Sequence, residues 1–241
     1  MRMDVSQRYR EAWEGFWSAT SDTPGEAIWD ADPSLSAVPH SELFLPYADI
    51  SLPVADLGCG NGTQTRYLAT RFSRAVGVDL SHAAIGHARR ADSEGVAEFV
   101  QLDLVDADAV RALHERIGDA NVYMRAVIHQ SDPEARPAVA AAVATLLGKH
   151  GRAFVAELTP ASKAVLEQAA QGPDGPPEKL RRVFEHGLKP ASASEEELPR
   201  VLRAAGLTTL DSGDTALPQT EHLPDGTRID LPARWFVLAA R

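Results

Sequence analysis

From residue 54 onward, short apolar runs alternate with helical stretches, and this order constrains the fold more than any other feature of the sequence. The runs predict strands at 54–57, 75–79, 97–102, 120–128 and 151–157, and the segments between them predict helices at about 62–72, 82–92, 106–116 and 133–147. Such alternation implies right-handed crossovers between parallel strands. We therefore predict an α/β fold whose sheet is covered by helices on both faces.

The N-terminal fifth of the chain follows other patterns. Residues 5–19 predict a helix, because apolar side chains recur there at helical spacing. Residues 20–53 contain five prolines and predict mainly an ordered loop with short turns. We expect residues 1–50 to form an N-terminal helix and lid segment beside a domain of residues 51–241.

Residues 160–192 interrupt the alternation and predict a lid insertion, with a turn-rich piece at 171–177 and a short helix after it. Ser194 and Glu197 match a capping box that would open a further helix, which Gly206 would end. Residues 207–210 and 233–240 predict the last two strands.

Composition limits the classes of partner. A length of 241 residues fits one large domain or one domain with a lid, and the net charge of −10 disfavours a nucleic-acid partner. Cys59 is the single cysteine, so an internal disulfide is impossible and a cytoplasmic location is expected. The start of the chain has no apolar run typical of a signal peptide, and no stretch suits a membrane span.

A glycine-rich turn follows the first predicted strand, in the sequence Val54-Ala55-Asp56-Leu57-Gly58-Cys59-Gly60-Asn61-Gly62. Glycines allow a tight turn and a close approach of the backbone to a ligand. Amides at the start of a following helix favour an anionic or polar group. Taken alone, the turn also fits a purely structural strand-to-helix connection.

Acidic residues end the next two predicted strands. Asp79 stands 21 positions after Gly58, where a carboxylate can accept hydrogen bonds from both ribose hydroxyls of an adenosine ligand. It could instead stabilise the helix over 82–92, and the upstream glycines favour the ligand-binding interpretation. Asp103 closes the third strand.

At these positions the chain resembles the class I S-adenosylmethionine-dependent methyltransferases, which carry acidic residues before a glycine-rich turn and at the ends of strands two and three. Asp56, Asp79 and Asp103 match all three positions. The resemblance implies a Rossmann-like, doubly wound, seven-stranded sheet whose last strand is antiparallel and inserted between strands five and six. It also implies S-adenosylmethionine as cofactor and S-adenosylhomocysteine as product.

The resemblance further implies roles for individual residues around the cofactor. Gly58 and Gly60 would line the methionine part of the cofactor, and Asp56 would lie near its amino-acid end, directly or through water. Asp79 would hold the ribose. Asp103 would hold the adenine amino group, with Leu80 and Leu104 against the adenine ring. Arg125 would lie under the cofactor, or pair with an acidic neighbour. A dinucleotide-binding dehydrogenase is the competing interpretation, but its glycine pattern would place a third glycine where Thr63 stands.

His129 is the candidate catalytic residue. It follows the fourth strand, at the edge where ligands bind in open α/β sheets, and an unperturbed imidazole titrates near neutrality. The segment resembles the histidine region of small-molecule O-methyltransferases, although the following residues 130–132 match only in part. A capping or packing role for His129 is an equally weighted alternative.

The sequence therefore predicts a methyltransferase acting on an O or N atom of a small, secondary-metabolite-like acceptor. A methyltransferase-fold cyclase or pericyclase that binds the cofactor without methyl transfer is the alternative, and a non-catalytic binding protein is a weaker one. No cluster has the spacing of a zinc site, so no metal is expected. Monomer and homodimer both stay open.

Overall fold

The computed structural model describes residues 5–171, 175–188, 194–223 and 225–241. Within them, one sheet has the strand order β3-β2-β1-β4-β5-β7-β6. The strands are β1 Val54–Leu57, β2 Ala75–Asp79, β3 Glu98–Gln101, β4 Asn121–Arg125, β5 Arg152–Leu158, β6 Leu207–His222 and β7 Arg228–Ala240. The first five strands are parallel, and β7 is antiparallel between β5 and β6, which confirms the predicted fold class.

Helices cover both faces of this sheet. They are α1 Val5–Ala19, α2 Ala37–Phe44, α3 Thr63–Leu68, α4 His82–Ala91, α5 Ala107–Ile117, α6 Arg136–Leu147, α7 Ser162–Ala170, α8 Glu178–Glu185 and α9 Glu197–Ala204. Successive strand residues point to opposite faces, so Ala55 and Leu57 pack in the core beneath α5, α6 and α9, whereas Val54 packs beneath α2 and α3. No described helix is long and apolar enough to cross a membrane.

A third apolar core lies beyond the carboxyl ends of the parallel strands. Phe16 and Trp17 of α1 pack there with Leu180 and Val183 of α8 and with Ile229 of β7. The N-terminal helix and the segment after β5 therefore meet above the edge of the sheet where ligands bind in this class of fold.

Three predictions of local structure were wrong or incomplete. The segment 20–53 was predicted as mainly loop but contains α2 and a short 3₁₀ helix, Pro33–Leu35. The predicted strand over 120–128 ends at Arg125, because Ala126 adopts a φ of 60°. The last two strands are much longer than predicted and pair with each other in antiparallel fashion.

The predicted capping box is also wrong. Helix α9 begins at Glu197, its N-cap residue is Glu196, and no side chain caps it. The carboxylate of Glu197 instead accepts a hydrogen bond from the buried Arg136, with Nη1 and Oε1 2.6 Å apart. The helix does end as predicted, with Gly206 at a φ of 82° just beyond it.

Candidate active site

A cavity of about 440 Å³ lies at the carboxyl ends of β1 to β4. Its size suits a small-molecule site. Eight of the nine predicted site residues line it, namely Gly58, Gly60, Asp79, Leu80, Asp103, Leu104, Arg125 and His129. The parallel topology explains this convergence, since the turns after successive parallel strands all open at one edge of the sheet.

The glycine turn after β1 needs glycine for two separate reasons. Gly58 and Gly60 both have left-handed backbone conformations, with φ values of 73° and 55°. A Cβ on Gly58 would lie 2.5 Å from Val127 in the turn after β4, and a Cβ on Gly60 would lie 2.7 Å from the ring of Trp17. Close packing of the glycine turn against Val127 and against Trp17 of α1 therefore disfavours larger residues at both positions.

Asp79 ties the ends of β1 and β2 together. Its carboxylate accepts hydrogen bonds from the backbone N–H of Gly60 and of Ser81, both at 2.9 Å. Burial raises the pKa of Asp79 to about 6, in spite of these two donors. The side chain lines the cavity, so the carboxylate presents acceptor capacity to a ligand there.

Asp103 lies at the next strand end, where one carboxylate oxygen accepts a hydrogen bond from the backbone N–H of Val105. Its other oxygen lies 3.0 Å from the guanidinium of Arg10 on α1. Leu80 and Leu104 line the cavity beside the two carboxylates. The arrangement combines apolar walls with acceptors at their margin, which suits a flat heterocycle that carries an amino group.

Asp56 is placed differently from the other predicted residues. It is buried beneath the glycine turn, outside the cavity lining, and its carboxylate accepts a hydrogen bond from the Thr65 hydroxyl at 2.6 Å. Burial raises its pKa to about 6. This contact fixes α3 against the end of β1, and a direct contact of Asp56 with the cofactor stays a prediction.

The turn after β4 carries His129 and is held by a buried carboxylate that the sequence reading missed. Glu157, near the end of β5, accepts hydrogen bonds from the backbone N–H groups of Val127, Ile128 and His129, at 2.9, 2.7 and 3.1 Å. The same carboxylate lies 2.7 Å from Nδ1 of His129. Both side chains are almost fully buried, at 3% and 2% exposure.

This contact selects one tautomer of the neutral imidazole. A carboxylate only accepts hydrogen bonds, so the proton of the neutral ring lies on Nδ1 and the lone pair on Nε2. Within the described part of the chain, Nε2 of His129 is buried and has no hydrogen-bond partner. Buried polar atoms are normally paired, so this unpaired acceptor, on a residue that lines the cavity, is a candidate partner for a ligand donor.

Helix α1 closes the cavity from outside. Its polar side chains contact the ends of three parallel strands: Glu14 accepts from the Ser81 hydroxyl at 2.7 Å, Arg10 contacts Asp103, and Arg8 lies 3.3 Å from Asp132. Its aromatic side chains Tyr9, Trp13 and Trp17 line the cavity. The helix is therefore both a wall of the site and a cover over it.

Comparison with known proteins identifies the class to which this site belongs. Residues 54–151 match the family model described as a methyltransferase domain. A relative from Thiobacillus denitrificans, named ubiquinone biosynthesis O-methyltransferase, is 31% identical over 176 residues, in a match that covers 70% of this chain and 70% of the relative.

Solved structures agree with this match. A crystal structure of an S-adenosylmethionine-dependent methyltransferase from Anabaena variabilis is 28% identical, with a TM-score of 0.88 and coverage of 99% of this chain and 96% of the other. A magnesium protoporphyrin IX methyltransferase from Synechocystis, solved with S-adenosylhomocysteine, shares the fold at 19% identity, with a TM-score of 0.56 and coverage of 86% and 82%.

The chain belongs to the class I S-adenosylmethionine-dependent methyltransferases. It is an enzyme whose cofactor is S-adenosylmethionine and whose cofactor product is S-adenosylhomocysteine. The resemblance drawn from the three acidic positions is therefore confirmed at the level of the family.

Proposed function

We propose that the enzyme transfers the methyl group of S-adenosylmethionine to a hydroxyl oxygen of a small-molecule acceptor, with His129 as the general base. The observation that carries this proposal is the buried His129–Glu157 pair on the margin of the cavity, since His129 lines the cavity and its buried Nε2 has no hydrogen-bond partner among the described residues. A hydroxyl group is a donor that Nε2 can accept. The name of the Thiobacillus denitrificans relative, an O-methyltransferase, supports oxygen over nitrogen.

The residues of the cavity fit the cofactor. The carboxylate of Asp79 would accept from the ribose hydroxyls, and that of Asp103 from the adenine amino group, with Leu80 and Leu104 against the ring. The glycine turn brings backbone rather than side chains to this part of the wall. Arg125 also lines the cavity, and its guanidinium donates to the carbonyl of Trp29 at 2.9 Å.

When bound, the cofactor supplies a methyl group on a positively charged sulfur that leaves as a neutral thioether. The protein has to place the acceptor oxygen in line with that methyl group and remove the hydroxyl proton. His129 takes this proton at Nε2, and Glu157 stabilises the resulting imidazolium through Nδ1. Arg136 supports the turn, because its guanidinium donates to the carbonyls of His129 and Ser131.

Two segments would exclude water during the reaction. We assign residues 1–50 and 160–192 to the lid, of which α1, α7 and α8 contribute lining residues within the described ranges. Enclosure strengthens the electrostatic contacts of the reacting groups and protects the activated methyl group from side reactions. The predicted secondary-metabolite-like acceptor belongs to this proposal as well.

The His129→Gln variant tests the proposal. With a panel of hydroxyl-bearing acceptors, we expect its rate of S-adenosylhomocysteine release to fall by about 100- to 10,000-fold, the range that a general base contributes. Affinity for S-adenosylhomocysteine should stay within about twofold, because the histidine lies outside the set assigned to the cofactor.

The matched control is His222→Gln, since His222 is exposed on β6 and away from the cavity. Equal turnover of His129→Gln and wild type would remove His129 from the mechanism. Tight cofactor binding with no methylated product from any acceptor would instead favour the cyclase or pericyclase alternative.

A further inference from the structure

The cavity has almost no positive charge to offer an acceptor. Within the described residues, its lining includes one arginine, Arg125, and no lysine. The guanidinium of Arg125 already donates to the carbonyl of Trp29. A buried carboxylate or phosphate without a cationic partner is strongly disfavoured. The charge pattern therefore argues against an anionic acceptor.

The acidic side chains of the lining do not form a free anionic pocket either. Asp132 contacts Arg8. Asp30, which is 7% exposed, accepts from the backbone N–H of Gly25 at 2.8 Å and from the side-chain amide of Asn61 at 2.6 Å. These contacts satisfy Asp30 and Asp132 within the protein, and Glu134, a further acidic residue of the lining, is exposed to solvent. An acceptor that is itself uncharged matches the site best.

The wall on the acceptor side is apolar and built from four elements. It comprises Leu158 of β5, Leu166 of α7, Leu180, Val183 and Phe184 of α8, and Leu231 of β7. Aromatic rings from α1 and the loop after it complete this wall. Trp13 stands edge to face against Trp29 with ring centroids 5.3 Å apart, and against Tyr9 at 6.1 Å. Edge-to-face clusters of this kind accept a further planar ring at similar spacing.

The acidity of the acceptor hydroxyl must also match the base. An imidazole has an ordinary pKa of about 6.5 and a phenol of about 10. Water, which resembles an alkyl alcohol in this respect, loses its proton only near about 16. Proton transfer from a phenol to an imidazole is therefore far less uphill than transfer from an alkyl alcohol.

We infer that the acceptor is an uncharged phenol with an apolar body and without a carboxylate or phosphate group. The inference rests on the proposed function, because it uses His129 as the base for a hydroxyl group. The acceptor ring lies between the aromatic side chains of α1 and the leucines of α7 and α8, with its hydroxyl toward Nε2 of His129.

Binding to the protein loaded with S-adenosylhomocysteine tests this inference without requiring turnover. The probes are 2-naphthol, its carboxylate analogue 6-hydroxy-2-naphthoate, and its saturated analogue decahydro-2-naphthol. Calorimetry should show 2-naphthol binding at least about tenfold more tightly than the naphthoate, because the cavity leaves that carboxylate unpaired. With S-adenosylmethionine, 2-naphthol should be methylated and the saturated alcohol should not.

A variant that adds one charge to the wall sharpens the test. Leu166→Lys places an ammonium group in the cavity wall, and Gln168→Lys adds the same charge on the exposed side of the same helix. Leu166→Lys should raise the affinity for the naphthoate relative to 2-naphthol by about tenfold or more. Gln168→Lys should leave this ratio unchanged and so corrects for a general effect of charge.

These experiments test the acceptor class and the proposed methyl transfer to oxygen separately. Equal or tighter binding of the naphthoate to the wild type, or binding of none of the three probes, overturns the uncharged-phenol inference even if other acceptors are methylated. Binding of 2-naphthol in the expected order with no methyl transfer leaves the acceptor class supported and contradicts the proposed methyl transfer to oxygen.

Discussion

Glu157 shows how one side chain can define a reactive site. Its two oxygens accept from three successive backbone amides and from the imidazole of His129. Because the turn and the ring are held by one carboxylate, the position and the tautomer of His129 are set together. Glu157 is a positioning residue in this account, since it acts on the acceptor only through His129.

Most of the candidate site could be predicted from the sequence, because its residues stand at strand ends that a pattern reveals. Glu157 could have been found in the same way, as an acidic residue near the end of the apolar run 153–158. It was missed because no motif of the family marks it. Asp56 matches the motif, but the motif does not show whether its carboxylate faces the ligand or the neighbouring helix. In the structure it contacts Thr65 of α3.

The pKa of Asp79 gives a prediction for cofactor affinity. Burial raises this pKa to about 6. The ionised carboxylate accepts from the ribose hydroxyls and the protonated form accepts poorly, so affinity for S-adenosylhomocysteine should be full above that pH and weaken by up to about tenfold for each pH unit below it. Calorimetric titrations between pH 5 and pH 8 measure this dependence.

The Asp79→Asn variant tests whether the pH dependence comes from Asp79. This control is needed because the pKa of Asp56 is also raised to about 6. The variant should bind S-adenosylhomocysteine weakly and with a flattened pH dependence. An affinity of the wild type that is constant between pH 5 and pH 8, or an unchanged slope in Asp79→Asn, would show that Asp79 does not hold the ribose.

Among the secondary-structure elements, helix α1 contributes to the site although no sequence motif marks it as part of the site. It was predicted as a helix from its apolar stripe, but the stripe does not reveal what it covers. The contacts of Glu14, Arg10 and Arg8 place it over the ends of β2, β3 and β4. The cofactor cavity lies beneath it, so we expect α1 to move when cofactor enters and leaves.

Weakening one of these contacts should therefore accelerate cofactor exchange. Glu14→Ala removes an acceptor for both the Ser81 hydroxyl and the backbone N–H of Ala83. Hydrogen bonds to a charged group contribute about 1.5–3 kcal/mol, so dissociation of S-adenosylhomocysteine should be about tenfold faster. Stopped-flow measurements of tryptophan fluorescence can follow it, since Trp13 and Trp17 line the cavity.

The control is Glu11→Ala on the same helix, where the exposed carboxylate contacts only Gln7 among the hydrogen bonds of the described residues. Its dissociation rate should equal that of the wild type. A common rate for both variants and the wild type would mean that α1 stays closed during exchange, and that cofactor enters by another route.

Two elements escaped prediction for identifiable reasons. Helix α2 contains Pro39, which the sequence reading took as a loop signal, but the proline stands at the third helical position, where its missing N–H has no helical partner to lose. Strand β6 includes Gly213 and Pro218, which disfavour strands locally. Its long pairing with β7 overrides them, and Gly213 lies against the ring of Trp235.

For the whole molecule, the order of strands and helices predicted the parallel part of the sheet and its cover of helices on both faces. Buried apolar strands separated by helices leave few arrangements once crossovers are right-handed, and the inserted antiparallel strand followed from the resemblance to the family. The acceptor side of the cavity could not be predicted in this way. It joins α1, α7, α8 and β7, which are far apart in sequence and meet only when the sheet has formed.

A crystal structure of the protein bound to S-adenosylhomocysteine and 2-naphthol would test the proposed site and its assigned residues. We expect the ribose on Asp79 and the naphthol hydroxyl about 2.6–3.2 Å from Nε2 of His129, on the side of the sulfur from which the methyl group leaves. A cofactor bound outside this cavity, or a naphthol whose hydroxyl lies away from both His129 and the sulfur, would contradict this expectation.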